Sequence, residues 1–503
     1  MILWRVAGLL GAAALALAIV ATSYVTLGLT PFPIGFLIPI ALAAGFAFTC
    51  LGFARPYIAI LMTFFVLPFE YLTVLFPADS YGTGGPLNYI TLVKLMFGAV
   101  IVAGFVRLTV IKDERPLRNL RLTPIPVLLL LFYGMCWMSL ANAKRLGPFA
   151  NNMISMGSGV VAFFILVNLL TTIKRVDRFL KVVFFSYIFI ALIGLFEAVT
   201  RQHVLKIFGF PMIERPWTQN PDAFRVAGPS GDPDYYAISV IFGLMVTFAV
   251  IPLFKHLLAR LAVLGVTLLH FLAIVATASR GAALSTALGL GLFYLLARFR
   301  HKLLVGVVAL VVVGSSFAVY TLGVSSRTAA RYVGGDTSSW DERWGWTKMC
   351  YYMMLDAPVR GLGSGHFVVL YDAYKRTYPV PRQPEAAQNT YAQLAAQNGI
   401  PATLVYLAAN VVLWIVLYRV MRGARDPVLA HLAISFFALA LSFWLFSLTL
   451  DLVETEISWV IFAMGVVLSR LYRQEGQSGQ VLASPGPGVR PTSTAIRVTP
   501  AAS

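Results

Sequence analysis

The sequence predicts an all-α polytopic membrane protein, with about 12–14 transmembrane helices and a large outward loop containing short helices of its own. Three observations predict it. Of 503 residues, 59% are hydrophobic and only 12% are charged, about half the charged share of a soluble domain. Apolar runs of roughly 20 residues, the length a helix needs to cross a bilayer, recur along most of the chain. The mean hydropathy is +0.79.

The first run follows Met1–Arg5 and stays apolar to about Leu27, too long for the core of a cleaved signal, so it reads as a first span. Further spans are expected near 32–53, 56–76, 88–110, 123–141, 152–171 and 178–198, which completes an N-terminal bundle over 1–198. A loop at 199–233 leads to spans near 234–253, 257–277, 281–297 and 302–322, a transmembrane segment over 234–322. A large loop occupies 323–398, and spans near 399–420, 427–450 and 456–470 make a C-terminal segment over 399–470. The tail 471–503 is rich in Gly, Ser, Pro and Thr without an apolar period, and is expected to be a disordered cytoplasmic extension.

Charge orients these spans. The formal charge is +18, but most Lys and Arg lie in short connections between apolar runs, and no basic tract with interleaved aromatics points to nucleic acid. One alternate set of connections holds Arg107, Lys112, Arg115, Arg118 and Arg121, then Lys174, Arg175 and Arg178, then Lys255 and Arg260. It continues through Arg298, Arg300 and Lys302, Arg419, Arg422 and Arg425, and Arg470 and Arg473. Short basic connections face the cytoplasm, so both termini are cytoplasmic and both long loops face outward. The acidic turn Asp451–Glu456 falls on the outward side. Cys50, Cys136 and Cys350 are too scattered for a disulfide framework, and the six histidines form no ligand pair at helical spacing, so no metal site is expected.

The outward loops hold the candidate chemistry. In the large one, Ser339 and Glu342 have capping-box spacing and predict a helix over 340–355. On that helix Arg343, Thr347 and Cys350 share a face, and Trp340, Trp344 and Lys348 share its neighbour. An arginine here can grip phosphate through a forked pair of hydrogen bonds, whereas Trp340, Trp344 and Trp346 serve either a sugar platform or an interfacial belt and packing. The glycine-rich run Gly361–Gly365 before His366 predicts a turn that lets backbone approach a ligand closely. The shorter loop carries Arg215, Arg225 and the turn Gly228–Gly231, where Asp232 or Asp234 is read as the cap of the following helix. Arg280, in Ala278-Ser279-Arg280-Gly281, lies on the non-basic side; an anion contact and snorkelling to head groups explain it equally. Glu70 and Lys94, at similar depth in their spans, are expected to form a structural pair.

The ordered set Phe224-Arg225…Gly228…Asp232-Pro233-Asp234, Ala278–Gly281, Glu342-Arg343…Trp346, Gly361–Gly365, Gln388-Asn389-Thr390-Tyr391 and Asn398-Gly399 resembles the O-antigen ligase and O-antigen polymerase superfamily over about 225–405. The resemblance implies a multi-pass protein of the bacterial inner membrane with its active face periplasmic. It implies a metal-independent inverting glycosyltransferase without a cofactor. Its partners would be an undecaprenyl diphosphate-linked glycan and a hydroxyl of an acceptor glycan or lipid A core, alongside membrane lipids. Carried onto this chain, it implies that Arg280 and Arg343 hold the diphosphate with Arg225 assisting, and that Gln388 and Asn389 position the acceptor. Asp234, Tyr391 and Trp346 are further substrate-binding candidates.

Two departures matter. Gln388 stands where the family has histidine, and Gln397 where it has an acidic residue. An amide does not titrate, so Gln388 cannot take a proton. Glu385 is the substitute expected from sequence, ahead of His366 or Asp234. The alternative function, a transporter or flippase of lipid-linked sugars, binds its substrate at mid-membrane between repeats, and no clear repeat is present.

Overall fold

A computed structural model describes residues 48, 50–52, 54–77, 89–91, 93, 96–101, 123–207, 224–254, 256–297, 338–375 and 386–483. The expected spans at 7–27 and 302–322, together with Lys94, Arg215 and Glu385, lie outside the described residues. Among the described residues, seven helices are long and apolar enough to cross a membrane. The chain is an all-α polytopic membrane protein.

Helix α1 (Pro56–Val66) opens on a proline, whose missing N–H is an orphan at that position anyway. The span expected over 56–76 is only partly α-helical. Pro68 lacks the donor needed to continue the ladder, and the chain passes through a 3₁₀ turn (Leu67–Thr73) into strand β1 (Val74–Pro77). That strand pairs antiparallel with β2 (Tyr89–Thr91), where a further span was expected to begin.

Helices α2 (Ile125–Met138), α3 (Leu146–Leu169) and α4 (Ile173–Thr200) follow, then the short α5 (Val204–Ile207). Helices α6 (Pro233–Val250), α7 (Leu257–Ala276) and α8 (Arg280–Leu296) complete the middle of the chain. Between α8 and the next long apolar helix lie α9 (Ser338–Asp356) and α10 (Phe367–Lys375). Helices α11 (Thr390–Gly423), α12 (Pro427–Phe446) and α13 (Glu456–Ala483) end the described chain.

The core is built where apolar residues recur on every side of a helix. Helix α6 buries sixteen of its eighteen residues and packs against α4, α7 and α12. Helix α11 packs against α2, α12, α13 and α9, tying the α9–α10 segment to the bundle of long apolar helices. A small separate core in that segment joins Trp346, Met349, Cys350 and Met353 of α9 to Phe367, Leu370 and Tyr371 of α10.

Two boundaries differ from expectation. Helix α11 begins nine residues before the expected span at 399 and is broken at Gly399, with φ 85° and ψ 165° and Pro401 two residues on. The broken backbone finds partners next door: Leu362 N donates to Ala396 O (3.0 Å), Gly363 N to Gln397 O (3.0 Å) and Ile400 N to Pro358 O (2.8 Å). At the other end, α13 runs past Arg470 through Ala483, into the expected tail. Glu475 gives the extension a purpose, accepting from Arg425 N (3.2 Å) and Asp426 N (2.6 Å) at the start of α12. Arg470 is itself buried, its guanidinium donating to Val167 O (2.7 Å) and to Leu170 O at the end of α3.

Candidate active site

The site is assembled around the start of α6. Asp232 is the cap of that helix, its side chain accepting from Asp234 N (2.8 Å) and Tyr235 N (3.1 Å). The cap leaves the Asp234 carboxylate free for other partners. Arg225 donates from Nη2 to Asp234 Oδ1 (3.1 Å), and Arg343, 109 residues further along the chain, donates to Oδ2 (2.8 Å). Ser279 adds a side-chain hydrogen bond to the same carboxylate. Arg225 also donates from Nε to Thr277 O (2.8 Å), a carbonyl at the C-terminal end of α7 where cations are favoured.

The next residue after Ser279 is Arg280, exposed at the first turn of α8. The turn bends sharply: Ala278 has φ 51°, a left-handed conformation that residues with a Cβ adopt only under constraint. Two arginines from two segments thus meet on one aspartate, and Arg280 directly follows Ser279, which bonds the same carboxylate. The Asp232 carboxyl also lies close enough to feel the Arg225 charge.

A buried carboxylate that was not picked out from sequence holds the Arg225 segment. Glu197, near the end of α4, accepts from Val204 N (2.8 Å), Ala227 N (3.0 Å) and Gly228 N (2.9 Å). Its position inside an otherwise apolar run was the available signal, because an intramembrane carboxylate needs local donors. Burial and the neighbouring Asp234 charge push the Asp232 carboxyl above the usual carboxylate range.

The other half of the site is the turn before α11. Asn389 caps the helix, Oδ1 accepting from Tyr391 N and Ala392 N (3.2 Å each), so only its NH₂ is left to address a ligand. Gln388 is held with φ 55°, and its amide oxygen is buried without a hydrogen-bond partner. Thr390 fastens this turn to the connection after α12: its N–H donates to Ser447 O (2.9 Å), its hydroxyl donates to Leu450 O (2.8 Å) and accepts from Leu452 N (2.9 Å). The same connection reaches the arginine turn, because a Cβ built on Gly281 would come within 2.7 Å of Thr449 Oγ1.

The remaining expected residues are engaged in packing and hydrogen bonds of the fold. Trp346 is 5% exposed and packs in the small core between α9 and α10. Tyr391 packs against the Tyr406 and Trp444 rings. The glycine turn 361–365 approaches protein backbone, not open space: Cβ atoms on Gly361 and Gly399 would sit 2.2 Å from Gln397 O and Val359 O respectively. His366 is committed to structure, accepting from Arg145 N on Nε2 (3.0 Å) and donating from Nδ1 to Ser364 O (2.9 Å). Gln397 accepts from Gly365 N (3.1 Å) and holds the same turn. Trp340 and Trp344 are exposed on the outer face of α9, with Lys348 Nζ 5.7 Å from the Trp344 ring centre.

Two further carboxylates escaped attention because their turn was read only for topology. Asp451 is buried and accepts from Gln393 Nε2, while Glu454 accepts from Asn152 Nδ2. Burial pushes the Asp451 carboxyl up to about 6. Burial and the charge of Asp451 push Glu454 up to about 8. Among the described residues no group of three or more His, Cys, Asp and Glu is arranged to hold a metal ion.

Residues 265–407 match the family model described as O-antigen ligase. No curated protein matches the chain. The matched stretch contains Arg280, Arg343, the glycine turn, Gln388 and the broken helix. Over these residues the chain is similar to O-antigen ligases, in line with the resemblance carried by its sequence motifs.

Proposed function

We propose that the protein is a metal-independent, inverting glycosyltransferase working at the periplasmic face of the bacterial inner membrane. It moves a glycan from an undecaprenyl diphosphate carrier to a hydroxyl on an acceptor glycan or on lipid A core, in polymerisation or ligation of O-antigen or a related polysaccharide. The observation that carries this reading is the convergence of Arg225 and Arg343 on Asp234, beside Arg280.

The chemistry follows from that cluster. The acceptor oxygen attacks the anomeric carbon from the side opposite the diphosphate. The new C–O bond forms as the old one breaks, and the electron pair leaves with the lipid diphosphate. Negative charge therefore grows on the leaving group, where preorganised donors lower the barrier most. Guanidinium groups match phosphate oxygens in forked geometry, so Arg280 and Arg343 serve as the catalytic clamp and Arg225 braces it. Gln388 and the Asn389 NH₂ orient the acceptor. Trp346, packed in the loop core, and Tyr391, packed against α12, support the walls of the site.

Replacing Arg280 with Ala is expected to abolish long-chain polysaccharide in cells while membrane insertion stays intact. Normal chain length in that variant contradicts the proposal. Reconstitution with labelled lipid-linked glycan separates transfer from transport: new glycosidic bonds support the transferase, and movement without bond formation supports a flippase.

A further inference from the structure

Glycosyl transfer requires a group to receive the acceptor's proton, and Gln388 does not titrate. Most nearby candidates are already engaged. Both His366 ring nitrogens are hydrogen-bonded within the fold. Asp234 is held in two arginine ion pairs, which occupy both of its carboxylate oxygens. Asp232 caps α6, and Glu197 receives three backbone N–H groups away from the acceptor turn. The connection between α12 and α13 differs.

That connection is latched to the acceptor turn by the three Thr390 hydrogen bonds described above. Its Asp451 lies one side chain from Gln388: Gln393 donates to Asp451 Oδ2, and its own carbonyl oxygen accepts from Ala387 N (2.6 Å). From the opposite side, Tyr235 Oη donates to the Asp451 backbone carbonyl (3.0 Å), and Tyr235 directly follows Asp234. Asp451 therefore stands between the turn that presents the acceptor and the helix end that gathers the arginines. A carboxylate has room for about four hydrogen bonds. Gln393 and the backbone N–H of Val453 use part of that capacity.

We propose that Asp451 is the catalytic proton acceptor for the incoming hydroxyl, set between the Gln388–Asn389 turn and the arginine cluster; this rests on the glycosyl-transfer reading above. As the acceptor oxygen bonds to the anomeric carbon, its proton passes to an Asp451 carboxylate oxygen. The anomeric C–O bond to phosphate breaks with its electron pair, so carboxylate, alcohol and glycosyl diphosphate become carboxylic acid, glycoside and free lipid diphosphate. Water then takes the proton from Asp451 and resets it.

The surroundings suit a base. Tyr235 faces Asp451 from α6, Cys350 from α9, and Gln393 and Tyr406 from α11. Glu454 and Glu456 follow on its own connection, and Arg280 opens α8, whose Gly281 lies against Thr449 of the same connection. Burial raises both the Asp451 and the Glu454 carboxyl, so an ionised Asp451 takes up a proton more readily than a solvated carboxylate does. The rate should rise as pH increases through about 6, because only the ionised form is a base.

The test uses the full chain in lipid nanodiscs, with lipid-linked glycans extracted from the host envelope for turnover and undecaprenyl diphosphate for affinity. Asp451→Asn should lower turnover by about 10²- to 10⁴-fold, with carrier affinity unchanged and the acid limb of the pH profile gone. Asp451→Ala should regain part of its turnover in added formate, a small carboxylate able to enter the vacated space. Turnover within about tenfold of the parent in Asp451→Asn overturns the assignment. So does an Asp451→Ala variant that binds carrier normally yet ignores formate. If the unmodified protein forms no glycosidic bond, the transferase reading itself fails; if it does and Asp451→Asn matches it, only the Asp451 assignment fails.

Discussion

One carboxylate decides the geometry of the arginine cluster. Asp234 receives Arg225 on one oxygen and Arg343 on the other, and its side chain is only 12% exposed. Asp234→Asn keeps the shape but removes the charge that holds both guanidiniums together. Leaving charged groups partly buried without their partner should cost about 1–3 kcal/mol, measurable as a lower unfolding temperature in detergent. Arg343→Lys is a complementary test: the charge stays and the fork is lost. Its turnover should fall less than that of Arg343→Ala, for which a loss of about 10²- to 10³-fold is expected. From sequence, Asp232 and Asp234 were equivalent as caps, since both precede the same apolar run. The choice was settled by backbone conformation: Asp232 is extended at the cap position, and Asp234 already lies within the helix. Asp451 was invisible for another reason. Its partner Gln393 is 58 residues away, and only the folded chain brings that pair beside Gln388.

At the scale of elements, the break in α11 is the joint between the bundle of long apolar helices and the α9–α10 segment. Gly399 has a backbone conformation that residues with a Cβ scarcely adopt, and a Cβ there would meet Val359 O at 2.2 Å. Gly399→Ala should therefore destabilise by about 1–3 kcal/mol from backbone strain, with the steric clash added, again read from thermal unfolding. Thr390→Val tests the latch on the acceptor turn. It removes a hydroxyl that both accepts and donates inside the protein, so a loss of about 1–3 kcal/mol is expected, accompanied by reduced turnover. Seven helices among the described residues were legible because their apolar runs meet a lipid-sized length requirement. The predicted α9 was legible through the helical spacing of Arg343, Thr347 and Cys350, although the helix starts at Ser338 and takes Ser339 inside it instead of at its cap. The α11 break was not, because apolar periodicity resumes after Gly399 and conceals the helical residues before it. Likewise, the glycine turn was read as a ligand cradle, whereas Gly361 makes room for the broken helix and Gly365 for the backbone of Pro148 in α3.

At the scale of the whole molecule, the arrangement of charge predicts which side of the membrane carries the site. A single cysteine at Trp344, exposed on α9, in a chain freed of its three native cysteines, should react with a membrane-impermeant maleimide in intact spheroplasts. Labelling only after lysis would put the arginine cluster on the wrong side for an outward-facing carrier. Arg470 belongs to this scale as well. Counted along the sequence, it is one more basic residue at the cytoplasmic rim. Folded, it closes the carbonyl end of α3, some 300 residues earlier in the chain. The carbonyl end of α3 is therefore left unfinished until α13 has been made. Truncations that stop short of Arg470 should yield unstable, protease-sensitive chains, because a helix made early waits for a guanidinium made some 300 residues later.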